Sequence, residues 1–154
     1  MRIKPIPYVL LTFTILFFQG VMAQESDFIF DKAIEVKASS MNIDKLGVIY
    51  LVKDNQFFKL DGNGKEIFTY SNLTSGDISS ADVSDPFKLL LFYMDFGNIE
   101  FLDNTLSKTN TISLHNFGLE LSTLAAMSYN NGFWVYNPQN MELIRLDQFL
   151  TITD

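Results

Sequence analysis

A single histidine and no cysteine in 154 residues leave little room for metal or nucleophilic chemistry. A zinc centre needs three or four nitrogen or sulfur ligands, and an activated nucleophile needs a base beside it. His115, in "LHNFGLEL", is therefore expected as a solvated loop residue. Carboxylates are plentiful, eighteen in all, and Asp82 with Asp85 or Asp95 with Glu100 stand close enough in sequence to share acid–base work. With acids spread through nearly every turn such pairs arise by chance, so no catalytic residue, metal or cofactor is expected. "DGNGK", Asp61 to Lys65, opens like a calcium loop but puts lysine at the fifth ligand position, which leaves a hairpin turn as its expectation. "NLT" at Asn72 matches the glycosylation acceptor pattern, which has consequence only in a cell that glycosylates it.

The remaining feature with chemical potential is aromatic. Trp134, the only tryptophan, lies between Phe133 and Tyr136 in "NNGFWVYNPQNMELIRLD". A flat π-face there could stack on a sugar or peptide. The same residues also fit the second strand of a repeat, packed between neighbours, and that expectation is preferred.

The elements that carry these residues recur. Repeats run over approximately 38–77, 78–120 and 121–154, each opening on serine: Ser40, Ser80 and Ser122, spaced by 40 and 42 residues. Each carries Leu-Asp at its far end, at Leu60-Asp61, Leu102-Asp103 and Leu146-Asp147. Between these landmarks stand short apolar runs rich in β-branched and aromatic residues, "VIYLV", "KLLLFYM" and "FWVY", then "QFFKLD", "IEFLD" and "ELIRLD". "KEIFTY", "TNTISL" and the stub "LTIT" close the repeats, with Gly, Pro, Asn and Asp in the turns. The stretch best suited to a short helix or helical turn is "FGLELSTLAAM", whose second half already belongs to the third repeat. Four short antiparallel strands in about 40–45 residues is the layout of a propeller blade, so the fold expected is all-β, a β-propeller with about three four-stranded blades. Ile34 to Lys37 is expected as the strand that completes the last blade of a closed ring.

These repeats resemble those of secreted β-propellers of the NHL and six-bladed type. "NQFFKLDGNGKEIFTY" carries the likeness, as a strand, an Asp-x-x-Gly hairpin and an outer strand. "LDQFLT" departs from it by lacking the glycine, and no repeat has the Pro-x-Gly opening of NHL blades. Propellers take about 4–8 blades, so three imply part of a larger ring, closed by further blades or by self-association. Further blades in a longer chain are the preferred expectation. A ligand face, in such a scaffold, lies on the loops between blades and between the two middle strands. Those loops hold Asp54, Asn55, Asp77, Asp95, Phe96, His115, Asn116, Asn137 and Gln139.

Residues 1–23 have the build of a secretory signal peptide: Arg2 and Lys4, an apolar stretch from Tyr8 to Phe18, and Val21-Met22-Ala23 before a cleavage point at Ala23–Gln24. The apolar stretch is short for a span, which needs roughly 17–25 residues, so no stable membrane span is expected after cleavage. The net charge is −7; removing residues 1–23 takes two of eleven basic side chains and none of the eighteen acids, which leaves −9. An acidic chain without a basic cluster argues against nucleic acid as a partner. The expectation is an exported protein (periplasmic, cell-surface or secreted) of a bacterial envelope, a non-catalytic propeller module that binds protein or glycan. The alternative is a propeller-type enzyme, a lyase, lactonase-like hydrolase or quinoprotein, whose active-site residues lie in other blades. The channel-side strands "SSMNID", "SSADVSD" and "STLAAMSY" offer mostly small, apolar and hydroxyl side chains.

Overall fold

The computed structural model describes residues 29–153. The expected signal peptide and its expected Ala23–Gln24 cleavage point lie outside the described residues. Among the described residues eleven strands form three antiparallel sheets, each a meander in chain order. The first sheet comprises β1 (Ser40–Ile43), β2 (Ile49–Lys53), β3 (Gln56–Leu60) and β4 (Glu66–Tyr70). The second comprises β5 (Ser80–Asp82), β6 (Leu89–Tyr93), β7 (Asn98–Leu102) and β8 (Lys108–Ser113). The third has three strands, β9 (Leu124–Met127), β10 (Phe133–Asn137) and β11 (Glu142–Leu146). Its closing run contributes a single bridge, Ile152 opposite Leu146, and a hydrogen bond from Thr153 N–H to the Arg145 carbonyl.

The Leu-Asp landmarks have a local cause. Asp61, Asp103 and Asp147 each use Oδ1 to accept the backbone N–H groups two and four residues ahead, at 2.8–2.9 Å. Each turn places its fourth residue in the left-handed region: Gly64 at φ 83°, Leu106 at 61° and Leu150 at 62°. The third repeat therefore keeps the turn without the glycine, at the steric cost of a leucine there. The "DGNGK" segment is a hairpin turn whose aspartate serves its own backbone.

Alternation along the strands gives each sheet two faces. One face of the first sheet, with Tyr50, Val52 and Phe57, packs against Leu89, Leu91, Tyr93 and Leu102 of the second. The other face of the second sheet, with Leu90, Phe92, Ile99 and Phe101, packs against Phe133, Val135 and Leu146 of the third. Sandwiched in this way, β6 is buried at every residue. That accounts for the unbroken apolar run "LLLFY", since a strand covered on both faces needs no polar side.

Two local expectations bear on the ends of the repeats. Ile34–Lys37 makes no strand pairing among the described residues, which hold no last blade for it to complete; it runs beside Leu51, Phe58, Leu60 and Gly64, over the first sheet's outward face. The helical turn is shifted from its expected place, falling at Leu114–Phe117 and stopping at Gly118 (φ 68°); the second half of "FGLELSTLAAM" is β9, the channel-side strand expected of the third repeat.

Candidate functional site

In a four-stranded meander the turn between the middle strands and the crossover to the next sheet leave from the same end. Hydrogen bonds tie these loops into one surface. Asn55, at φ 58°, donates Nδ2–H to the Gly76 carbonyl and accepts the Ile78 N–H at Oδ1, both at 2.8 Å. Phe96 lies over Gly76, so closely that a Cβ there would come within 2.9 Å of the ring. Leu114 N–H donates to the Gly97 carbonyl at 2.8 Å, and Gly97 lies against the Glu120 backbone.

The loop residues singled out in the sequence divide by what their side chains are free to do. Asp54, Asp77, Asp95, Phe96, His115, Asn116 and Gln139 are exposed. Asn55 is half-buried and committed to the crossover. Asn137 is buried, and its Oδ1 accepts the Gln139 N–H at 3.0 Å, so it holds its own turn. Asp54, Asn55, Asp77, Asp95 and Phe96 come together around Gly76. His115 and Asn116 lie on the following crossover, where His115 Nδ1 stands 3.9 Å from Glu120 Oε2, an ion pair only when the imidazole is protonated. Phe96 is 60 % exposed and packs over Gly76, with Asp95 beside it.

The acid pairs do not form as pairs. Asp82 Oδ1 accepts the Ser84 N–H while its Oδ2 accepts the Met127 N–H of the third sheet, and Asp85 Oδ1 accepts the Phe87 N–H. Asp95 is exposed in a turn, whereas Glu100 is wholly buried between the first two sheets.

Glu100 is the centre of a polar cluster that the sequence reading passed over. Its carboxylate accepts Tyr70 O–H at 2.7 Å, Asn72 Nδ2–H at 2.6 Å and Ser75 Oγ–H at 3.1 Å, with Lys108 Nζ at 3.6 Å. Burial acts to push Glu100 upward, but hydrogen bonds from Tyr70 and Asn72 together with the Lys108 charge hold it below the usual carboxylate range. Burial raises Tyr70 and Tyr93 far above the ordinary phenol range, reinforced by the same carboxylate. The Tyr93 hydroxyl is buried and completes no hydrogen bond within normal limits, so its link to Glu100 is electrostatic. A signal existed: in register, Glu100 occupies the position of Phe58 and Ile144, a charge where the other repeats are apolar. The glycosylation pattern at Asn72 falls inside this cluster, with the amide donating to Ser75 and Glu100 and accepting from Thr74.

A second buried carboxylate shapes the first hairpin. Asp44 accepts the N–H groups of Leu46 and Val48 and the Tyr50 hydroxyl at 3.2 Å. Burial, with Asp44 beside it, pushes the Tyr50 phenol up to about 12. Among the described residues no group of three or more histidines, cysteines and acids is placed to hold a metal ion.

Trp134 belongs to a different surface. It shares the outward face of the third sheet with Leu124, Ala126, Tyr136 and Leu143, which line an apolar groove of about 500 Å³.

Three successive antiparallel meanders packed face to face define part of a β-propeller. The comparisons with solved structures agree. The chain matches a catalytically inactive variant of virginiamycin B lyase from Staphylococcus aureus, solved with quinupristin, at TM-score 0.56 and 14% identity, covering 73% of this chain and 39% of that one. It matches a selenomethionine form of the same lyase at TM-score 0.55 and 12% identity, with the same coverage. A luciferin-regenerating enzyme matches at TM-score 0.55 and 14% identity, over 75% of this chain and 44% of that one. The matched proteins are six-bladed propellers, and the chain spans about two fifths of their length. At these identities the likeness is one of fold. No family model and no curated protein matches the sequence.

Proposed function

We propose that this protein is an exported, non-catalytic β-propeller module of the bacterial envelope that binds a protein or glycan through the loop face around Gly76. The observation that carries this reading is the convergence of Asp54, Asp77, Asp95 and exposed Phe96 on one surface held from below by Asn55. An aromatic face gives apolar stacking area, and carboxylates around it accept hydrogen bonds from sugar hydroxyls or from the basic side chains of a peptide. Such a surface binds without needing a general base, which accords with a chain whose only imidazole stands apart on the next crossover. The build of residues 1–23 supports export.

The test is a binding screen against immobilised glycans and envelope proteins, with the wild type beside a variant carrying Asp54→Ala, Asp77→Ala, Asp95→Ala and Phe96→Ala. Binding lost in the variant, with melting behaviour retained, is the expected result. Partner binding left unchanged by all four substitutions would sink the reading. Amino-terminal sequencing of the exported protein checks the leader, with Gln24 expected as the first residue.

A further inference from the structure

The turns that join the first two strands of each sheet leave from the end opposite to the Gly76 loops, and between them lies a polar cleft of about 490 Å³. Lys45 of the β1–β2 turn, Ser84 and Asp85 of the β5–β6 turn, and Tyr129, Asn130 and Asn131 of the β9–β10 turn line it, so each of the three sheets contributes a wall. The volume falls within the range of about 300–1,000 Å³ usual for small-molecule sites.

The third of these walls is held firmly. Asn130 and Asn131 follow each other in the left-handed region, at φ 52° and 58°, and Gly132 N–H closes the turn on the Tyr129 carbonyl at 3.2 Å. Arg145, almost wholly buried, clamps this turn: Nη2 donates to the Tyr129 carbonyl at 2.9 Å, Nε donates to Ser128 Oγ at 3.0 Å, and the guanidinium lies 4.1 Å from the centre of the Tyr129 ring. Gly132 leaves room for it, since a Cβ there would come within 2.9 Å of Arg145 Nη2. The second sheet is tied to the same region through Lys88 Nζ, which donates to the Asn131 carbonyl at 3.0 Å, and through Asp82 Oδ2, which accepts the Met127 N–H at 2.8 Å. A wall tied at so many points meets a ligand with little left to order.

Inside that frame several polar groups have no structural task. Asp61, Asp103, Asn137 and Asp147 spend their side chains on the backbone of their own turns. The Asn130 and Asn131 amides make no such bond, and neither they nor Ser84 Oγ nor Lys45 Nζ has a hydrogen-bond or ionic partner among the described residues. Lys59, Lys88 and Lys108, by contrast, are each committed. Amides and a hydroxyl that both donate and accept, with a lysine donor on another wall, match the adjacent hydroxyls of a sugar, each of which also donates and accepts. Lys45 and Asp85 balance in charge, which suits a neutral ligand, and the single carboxylate is too little for a calcium ion, which takes about six to eight oxygen ligands. Tyr129, 68% exposed, adds an aromatic side chain to the wall. We propose that this cleft is a second ligand site, separate from the loop face around Gly76, and that it binds a short neutral saccharide through adjacent hydroxyls, with the Tyr129 ring as its apolar wall.

Isothermal titration of the purified full chain with neutral oligosaccharides of glucose, N-acetylglucosamine, xylose and mannose tests this. Binding of at least one is expected, weaker by about tenfold or more in Ser84→Ala/Asn130→Gly/Asn131→Gly, which deletes three uncommitted polar groups and leaves glycine to hold the left-handed turn. The side-chain amide NMR signals of Asn130 and Asn131 in the wild type give a second measurement that needs no substitution, and they are expected to move in step with the titration. A saccharide held only by the Gly76 loops would leave these signals in place, so the two sites are told apart whichever of them binds. No binding of any of these sugars, an affinity unaffected by the triple substitution, or amide signals that do not move would each overturn the proposal.

Discussion

Replacing Glu100 by glutamine keeps the side chain's shape and removes its charge, which isolates what the carboxylate does between the first two blades. Glu100 has no exposed surface, and its two shortest bonds, from Tyr70 and Asn72, are 2.7 and 2.6 Å long. A hydrogen bond to a charged group contributes about 1.5–3 kcal/mol, against about 0.5–1.5 for a neutral pair. In Glu100→Gln the amide can turn its N–H groups toward the Tyr70 hydroxyl, which is able to accept, so both bonds weaken without being lost. Two bonds each weaker by about 1–1.5 kcal/mol predict a loss of about 2–3 kcal/mol at pH 7. For a domain of this size that lowers Tm by about 8–12 °C. Proton linkage supplies an independent signature. The folded state holds Glu100 below its ordinary value, so an unfolded chain takes up the proton first as pH falls. The charge contribution is whole above the ordinary glutamate pKa, about 4.3, and drains away as pH falls through the depressed folded value. The gap in Tm between wild type and Glu100→Gln is therefore widest at neutral pH and narrows toward pH 3. Calorimetric melts of both proteins at pH 7, 5 and 3 measure it. A gap under about 2 °C at pH 7, or one that does not narrow with acid, would refute the assignment of charge-assisted bonds to this cluster.

Other consequences are local. Phe92→Ala empties a fully buried site between the second and third sheets and is expected to cost about 3–5 kcal/mol, read from the urea midpoint. Leu150→Gly relieves a left-handed leucine at a partly exposed turn; a gain of about 0.5–1 kcal/mol is expected, visible as a higher Tm, and a loss would show that Leu150 contributes more by packing than it costs in backbone strain. Asn55→Ala and Asn55→Gly both lose the bonds to Gly76 and Ile78, but alanine must also hold φ at 58°. Thermal melts should therefore rank wild type above Asn55→Gly and Asn55→Gly above Asn55→Ala, by about 1 kcal/mol at the second step.

What the sequence determines alone is periodic and local. A side chain that reaches only two or four residues ahead can write a turn into any chain that carries it, as Asp61, Asp103 and Asp147 do. Serine openings, Leu-Asp turns and short β-branched or aromatic runs recur because each blade is built by the same near-neighbour forces. The order of strands and the all-β architecture were legible for that reason. The loop residues around Gly76 were legible too, as positions, since a meander sends its middle turn and its crossover to one end. Tertiary structure decided which side of each strand is covered. "LLLFY" and "FWVY" look alike in sequence, yet among the described residues β6 lies between two sheets while β10 is packed against a sheet on one face. It also turned Glu100 from one acid among eighteen into the centre of an interblade cluster, because its partners Tyr70 and Asn72 arrive from about 30 residues away. The same holds for Ile34–Lys37: a strand needs a ladder partner, and only the packed molecule reveals that this segment lies against a sheet face. Burial and pairing are properties of neighbours brought by the fold, and no local spacing encodes which neighbour arrives.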